Sequence, residues 1–353
     1  MTSISPRPVN SVIRIDLADA SQMPAWDSYV EQHRESSVYH LSGWRDVIER
    51  IFGRETYYLM ALSDSSIVGV LPLVRLRSLA FGDFLVSMPY VNYGGVLSDS
   101  SEVGGKLIKR CCELAERLGV SHVELRHTSD SALLQRRTDK VSMQLALPTG
   151  SDELWDQLGS KLRAQVKRPL REGVTCDIGG VDLISDFYGV FSVKYRDLGV
   201  PVYPRNWFVA ILDKFPDETR VVVARLSGQP VAASLVIGFN GTMEVPWASS
   251  VRAADRIGVN MFLYWNMLKY AADHGYQTFD FGRSSTDSGT FRFKKQWGAE
   301  PVQLYWHYWL EGQREIPQLN LGNSKYQLAA AVWRKLPLPV ANFLGPRIVK
   351  NLP

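Results

Sequence analysis

Cysteine is scarce: three residues in 353, two of them adjacent at Cys111 and Cys112 in a helix-like segment. Such a set makes neither a disulfide framework nor a zinc site, so a reducing cytoplasm is the expected home. Long apolar runs are absent too. No stretch approaches the roughly 18 residues that a bilayer crossing needs, and the N-terminus lacks the basic start and apolar core of a signal peptide. The sequence shows no P-loop, no dinucleotide fingerprint and no metal cluster. None of its six histidines has a triad-like neighbourhood. His122 and His127 flank an expected strand and His307 alternates with aromatic residues, so buried, hydrogen-bonded imidazoles are the reading. Chemistry is expected to need no tightly bound cofactor, only an activated donor.

What is present is enough for a large core. With 45% hydrophobic residues, the chain reads as two domains rather than one. The net charge of +4 permits an anionic ligand, such as tRNA, a nucleotide-linked precursor or a phospholipid surface, without demanding one. The same pattern of elements occurs twice. Residues 56–63 and 67–76 predict a hairpin, followed by a helix over 103–118 and a strand over 121–126. Residues 219–226 and 230–239 predict a second hairpin, Asn240-Gly241 turns into another strand, and a helix over 258–274 precedes a strand over 277–281. Gly119 and Gly275 end the two helices alike. The offset of about 155 residues suits a duplicated domain. The expected division is a loose N-terminus at 1–10, a first domain at 11–150, a second at 151–312 and a helical extension at 313–353.

The most informative stretch is 279–309, where a strand end, a polar turn and a basic-aromatic segment crowd together, as at the site of an α/β protein. Asp280-Phe281-Gly282, then Phe293-Lys294 and Trp297-Gly298, resemble the signature of FemAB-type transferases. Those enzymes attach amino acids to peptidoglycan precursors and have tandem acetyltransferase-like folds. Residues 333–341 with Leu344-Gly345-Pro346, and Tyr90 to Gly95, resemble the FemAB-like branch found with exosortase and PEP-CTERM exopolysaccharide systems. Together these segments span nearly the whole chain. The resemblance implies tandem GNAT domains, each a mixed twisted sheet flanked by helices. It also implies that Lys294 sits at the donor ester, with Phe293 as an apolar wall. Were this segment a strand, Lys294 and Lys295 would face opposite ways and only one would enter the site.

Other residues have both a site reading and a structural one. Asp280 orients Arg283 or a backbone turn in the structural reading. Arg283 and Ser284 have oxygen-binding groups for phosphate or sugar. Trp44, Tyr90, Asn92 and Tyr93 line an acceptor groove or anchor the core. Tyr195, Arg196, Tyr203 and Arg205 surround a loop fit to clamp an anionic acceptor, and Trp247 faces that groove or the core. Arg256, Gly258 and Asn260 form a degenerate relative of an acetyltransferase pyrophosphate loop. Lys161, Arg163 and Lys167 belong to a run of five cations that resembles the family's Lys-x-Arg helix and suggests RNA or phosphate, the alternative being a solvated face. Pro169 is expected to bend or end that helix. The helix over 324–335 either packs on the body or touches anionic lipid at the inner membrane face.

The expected activity is transfer of an amino acid from aminoacyl-tRNA, or of an acyl group, to an amine on a peptidoglycan or exopolysaccharide precursor. A second reading uses acyl coenzyme A or acyl carrier protein. A third is a non-catalytic binding component of the exopolysaccharide machinery.

Overall fold

The computed structural model describes residues 12–79, 81–130, 134–313, 315–317 and 324–353. The N-terminal segment 1–10, expected to be loose, lies outside them. Two mixed sheets face a shared core. The first holds β1 (Ile13–Leu17), β2 (Thr56–Ser63), β3 (Ser66–Ser78), β4 (Gly82–Val86), β5 (Leu97–Ser98), β6 (His122–His127) and β7 (Gln135–Arg137). The second holds β8 (Lys140–Ala146), β9 (Val174–Gly179), β10 (Thr219–Leu226), β11 (Gln229–Phe239), β12 (Thr242–Ser250), β13 (Thr278–Ser285) and β14 (Glu300–Gln303). The last strand, β15 (Tyr305–Leu310), returns to the first sheet.

Alternation along the strands builds three apolar layers. In β10, Val221 and Val223 enter the core between the sheets, while Val222 and Ala224 enter the core beneath the outer helices. In β3, Val70 and Val74 take the inner side and Leu71 and Leu73 the outer. The period of two along a strand makes this division unavoidable. The helix Ser101–Leu118 closes the outer face of the first sheet through Val103, Leu107, Cys111, Leu114 and Ala115. Each such burial contributes about 1–3 kcal/mol. That helix starts where Ser100 Oγ accepts the Val103 N–H and stops at Gly119, whose φ of 63° is left-handed. The inner core is aromatic and draws on both halves, with Trp44, Phe52, Trp207, Phe208 and Trp247 packed ring against ring.

The sheets do not divide at 150. β8 precedes that point yet lies between β13 and β14 of the second sheet, and β15 lies between β6 and β7 of the first. Each sheet is completed by a strand from the other half, because backbone pairing depends on register in space and not on order along the chain. Three local expectations also change. Pro169 sits inside the helix Ser160–Arg171 without ending it. Residues 289–295 are a helix rather than a strand, so opposite-facing geometry does not apply to Lys294 and Lys295. The segment 280–285 is the end of β13, with a register shift between Asp280 and Arg283 where Gly282 has φ 73°.

The C-terminal helices Ser324–Trp333 and Leu338–Val349 pack on the body. Gly199 approaches Ala330 so closely that a Cβ would lie 2.8 Å from its carbonyl oxygen, and Gly345 approaches Val202 equally closely. The Lys350 carbonyl accepts from Tyr90 Oη (2.8 Å) and Arg54 Nη2 (2.8 Å). Their outer faces still expose Leu328, Val332, Val340, Phe343 and Leu344. Among the described residues, no helix is long and apolar enough to cross a membrane.

Candidate active site

A cleft of about 420 Å³ opens between the sheets. Its walls come from 34–38, His40, 93–97 and 126–129 on one side and from Gln144, Ile237, Phe239, Thr242, Glu244 and Val302 on the other. On one wall stands Glu244, paired with a second buried carboxylate, Asp280. β12 and β13 run parallel only from Thr242–Thr278 to Glu244–Asp280, so Glu244 and Asp280 lie side by side where the pairing ends. Both are almost fully buried. Asp280 accepts from Ser142 Oγ, the Gly282 N–H (2.7 Å) and Gln144 Nε2 (3.2 Å), and Glu244 accepts from Asn92 Nδ2 (2.6 Å).

Tyr93 joins them. Its hydroxyl lies 3.0 Å from Asp280 and 3.2 Å from Glu244. A phenol has one proton, so it donates to one carboxylate only; the second contact is a hydrogen bond when that carboxyl carries its own proton. Glu244 fits this role. Burial and the neighbouring Asp280 charge push its carboxyl up to about 8. A sequence reading that weighed Asp280, Asn92 and Tyr93 had no signal for Glu244, which is one polar residue in an alternating strand.

Lys294 lies beside this pair but not on the cleft surface. Its ammonium donates to the carbonyls of Gly282 (2.8 Å) and Arg283 (3.0 Å), clamping the bulge that follows Asp280. Burial lowers it to about 8. Phe293 packs edge-on against Tyr264 at 4.9 Å. Arg283 sits over Trp306 at 4.7 Å, with Arg126 on the same ring at 4.6 Å. Burial and the Arg126 charge lower Arg283 to about 10, and its Nη1 has no partner among the described residues. The Ser284 hydroxyl is likewise buried and unpartnered.

Several candidates belong elsewhere. Trp44 is fully buried and donates to the Val38 carbonyl (2.9 Å); Tyr90 and Trp247 are core anchors in the same aromatic cluster. Tyr195 packs on Phe191, Tyr203 stacks on Trp207, Arg196 pairs with Asp197 and Arg205 reaches Ser185. Aromatic residues of this size reach the centre because their area outweighs one satisfied polar atom. Arg256 and Gly258 precede the helix Val259–Asp273, which contains Asn260, and none of the three lines the cleft. Lys161, Arg163 and Lys167 share the helix Ser160–Arg171, where Arg163 faces Asp156 at 4.0 Å and Lys167 lies over Trp155 at 5.4 Å.

His127 and His307 are buried and hydrogen-bonded, as expected, and it is their partners that the sequence did not show. His127 and His307, 180 residues apart, meet with their Nδ1 atoms 3.0 Å apart, and His307 Nε2 lies 3.3 Å from Asp130 Oδ1. β15 pairs with β6 so that Tyr305 opposes His127, which puts His307 diagonally across on the same face. No local pattern announces this contact.

The comparisons with known proteins agree with the architecture. The family profile described as Acetyltransferase (GNAT) domain matches residues 160–295. No curated protein matches the sequence. Among solved structures, FemX superposes with a TM-score of 0.66 at 13% identity over 83% of this chain and 96% of its own. The C-terminal domain of a putative lysylphosphatidylglycerol synthetase from Agrobacterium fabrum gives 0.57 at 15% identity, covering 89% and 95%. A tandem GNAT protein from the clavulanic acid biosynthesis pathway gives 0.53 at 12%, covering 86% and 100%. With two mixed sheets flanked by helices and a GNAT domain profile in its second half, the chain is a tandem GNAT-fold α/β protein.

Proposed function

We propose that the protein transfers an aminoacyl or acyl group to an amine of a cell-envelope precursor, of the peptidoglycan or exopolysaccharide kind. The observation that carries this reading is the Glu244–Asp280 pair, with Glu244 in the cleft wall and Asp280 beside it. At rest the pair holds one proton, on Glu244; an arriving ammonium displaces that proton to solvent and gains two desolvated counter-charges. The ammonium then hands one proton to Glu244, whose hold on a proton is raised, and is left as the neutral nucleophile. Lys294 fixes the bulge beside the pair and adds positive charge near the oxygen that becomes negative as the donor carbonyl is attacked. Aminoacyl-tRNA is the preferred donor, with acyl coenzyme A or acyl carrier protein as the second choice. The FemX and lysylphosphatidylglycerol synthetase likenesses support the aminoacyl reading at the level of fold.

The exposed apolar row on the two C-terminal helices, beside Arg334, Lys335, Arg347 and Lys350, supports peripheral contact with an anionic membrane. The test of the activity is transfer of label from charged tRNA, or from acyl coenzyme A, into an extract of lipid-linked and nucleotide-linked precursors. Native protein is expected to label an amine-bearing product, and Glu244→Gln to weaken acceptor use at least tenfold. No product from any donor removes the enzymatic reading and leaves the binding role.

A further inference from the structure

The contact between His127 and His307 fixes where the protons sit. Asp130 carboxylate can only accept, so His307 Nε2 carries a proton and donates it. A neutral His307 then presents a bare Nδ1, and the 3.0 Å contact is a hydrogen bond only if His127 Nδ1 is the donor. His127 is left with a lone pair on Nε2. That atom has no partner among the described residues, and the His127 ring stands in the cleft wall with Gly95 against its Cδ2 edge. His40, nearby, is a contrast: its Nδ1 accepts from the Ser37 N–H (3.1 Å) and its Nε2 donates to the Gly95 carbonyl (3.1 Å), so it has nothing to offer a ligand.

We infer that His127 Nε2 is the general base that takes the proton from the attacking amine, with His307 and Asp130 as positioning residues that hold its tautomer. The inference rests on the transferase reading above. In the step, the neutral amine's lone pair forms the C–N bond as the carbonyl pair moves to oxygen, and the proton on that nitrogen passes to His127 Nε2. On collapse, the bond from carbon to the donor's alcohol oxygen, or thiol sulfur, breaks. The leaving atom takes the proton back from Nε2, so the ring returns to its starting state. The imidazolium formed in between is supported through His307 by the Asp130 charge.

The groups facing His127 are His307 from β15, His40 from the turn Val38–His40 and, beyond His307, Asp130 paired with Arg136. Burial and the two other imidazoles lower His127 to about 3, which keeps its lone pair free at working pH. The carboxylates hold the acceptor, and the histidine accepts the proton that the nitrogen sheds when it becomes acidic on bonding.

Two measurements on the full chain test this. Long-range proton–nitrogen NMR of the imidazole rings is expected to show His127 protonated at Nδ1 and bare at Nε2, and His307 protonated at Nε2; the reverse assignment for His127 overturns the proposal without touching the transferase reading. Label transfer into the precursor extract is expected to fall at least hundredfold in kcat for His127→Gln at pH 7, with acceptor KM changed less than threefold. The gap should narrow to about tenfold at pH 9, where solvent removes the proton, a recovery that a merely misfolded variant would not show. Asp130→Asn, on a half-exposed loop, is expected to lose about tenfold. Native activity with an equally active His127→Gln refutes the base; a harmless Asp130→Asn beside a damaged His127→Gln refutes the relay. Native protein inert with every donor overturns the transferase reading and the base with it.

Discussion

Replacing Glu244 with glutamine should make the protein more stable, and more so the higher the pH. Glu244 has an ordinary carboxyl value of 4.5 when unfolded and about 8 when folded. Below pH 4.5 both states hold the proton and the raised value has no effect on stability. Between 4.5 and 8 the unfolded chain sheds the proton while the folded one keeps it, so stability falls by about 1.4 kcal/mol per pH unit. By pH 7 the loss is about 3 kcal/mol, and above pH 8 it levels off. Glutamine has no proton to shed. It retains an oxygen to accept from Asn92 Nδ2 and an amide to face Tyr93, so the hydrogen bonds of the site largely survive. The assay is urea unfolding of both proteins at pH 5, 7 and 8.5, with the difference in midpoint read against pH. A gain of roughly 2–4 kcal/mol at pH 7 that shrinks toward zero near pH 4.5 is expected. Parallel curves for the two proteins across this range would show that Glu244 is ionised in the folded state. The proton-sharing arrangement through Tyr93 would then be wrong.

The other predictions concern the parts that hold the cleft wall in place. Lys294→Met leaves the carbonyls of Gly282 and Arg283 without their charged donor and should lower stability by about 1–3 kcal/mol, seen as an earlier urea midpoint at pH 7; an unchanged midpoint would mean that the clamp carries no load. Gly95→Ala puts a Cβ 2.5 Å from His127 Cδ2 and 3.0 Å from the Arg126 carbonyl, so the ring must move. A stability loss of about 1–3 kcal/mol and a fall of at least tenfold in transfer rate are expected, and a variant with native kinetics would show that the ring position is not critical.

Particular elements show what could be read in advance. The hairpins at 56–76 and 219–239 and the helices ending at Gly119 and Gly275 were legible because alternation, turn residues and helix stops are local signals. The polar cluster was half legible: Asp280, Asn92 and Tyr93 stand in marked motifs, while Glu244 becomes special only when β12 pairs with β13. Trp44, Tyr90 and Trp247 read equally well as groove or core, since an aromatic side chain satisfies both descriptions until its neighbours are known. The segment 289–295 read as a strand because the alternation Phe291-Arg292-Phe293-Lys294 is too short to tell one period from the other.

The sequence by itself determined the elements, the duplication and the apolar faces that force two sheets around one core, because those follow from short-range periodicity and from the area to be buried. Only the tertiary structure decided that β8 and β15 cross to the opposite sheets, that Glu244 and Asp280 stand together out of water, and that His127 meets His307. Proton affinities and hydrogen-bond partners depend on distance and local dielectric, and residues far apart along a chain acquire both only when it has folded.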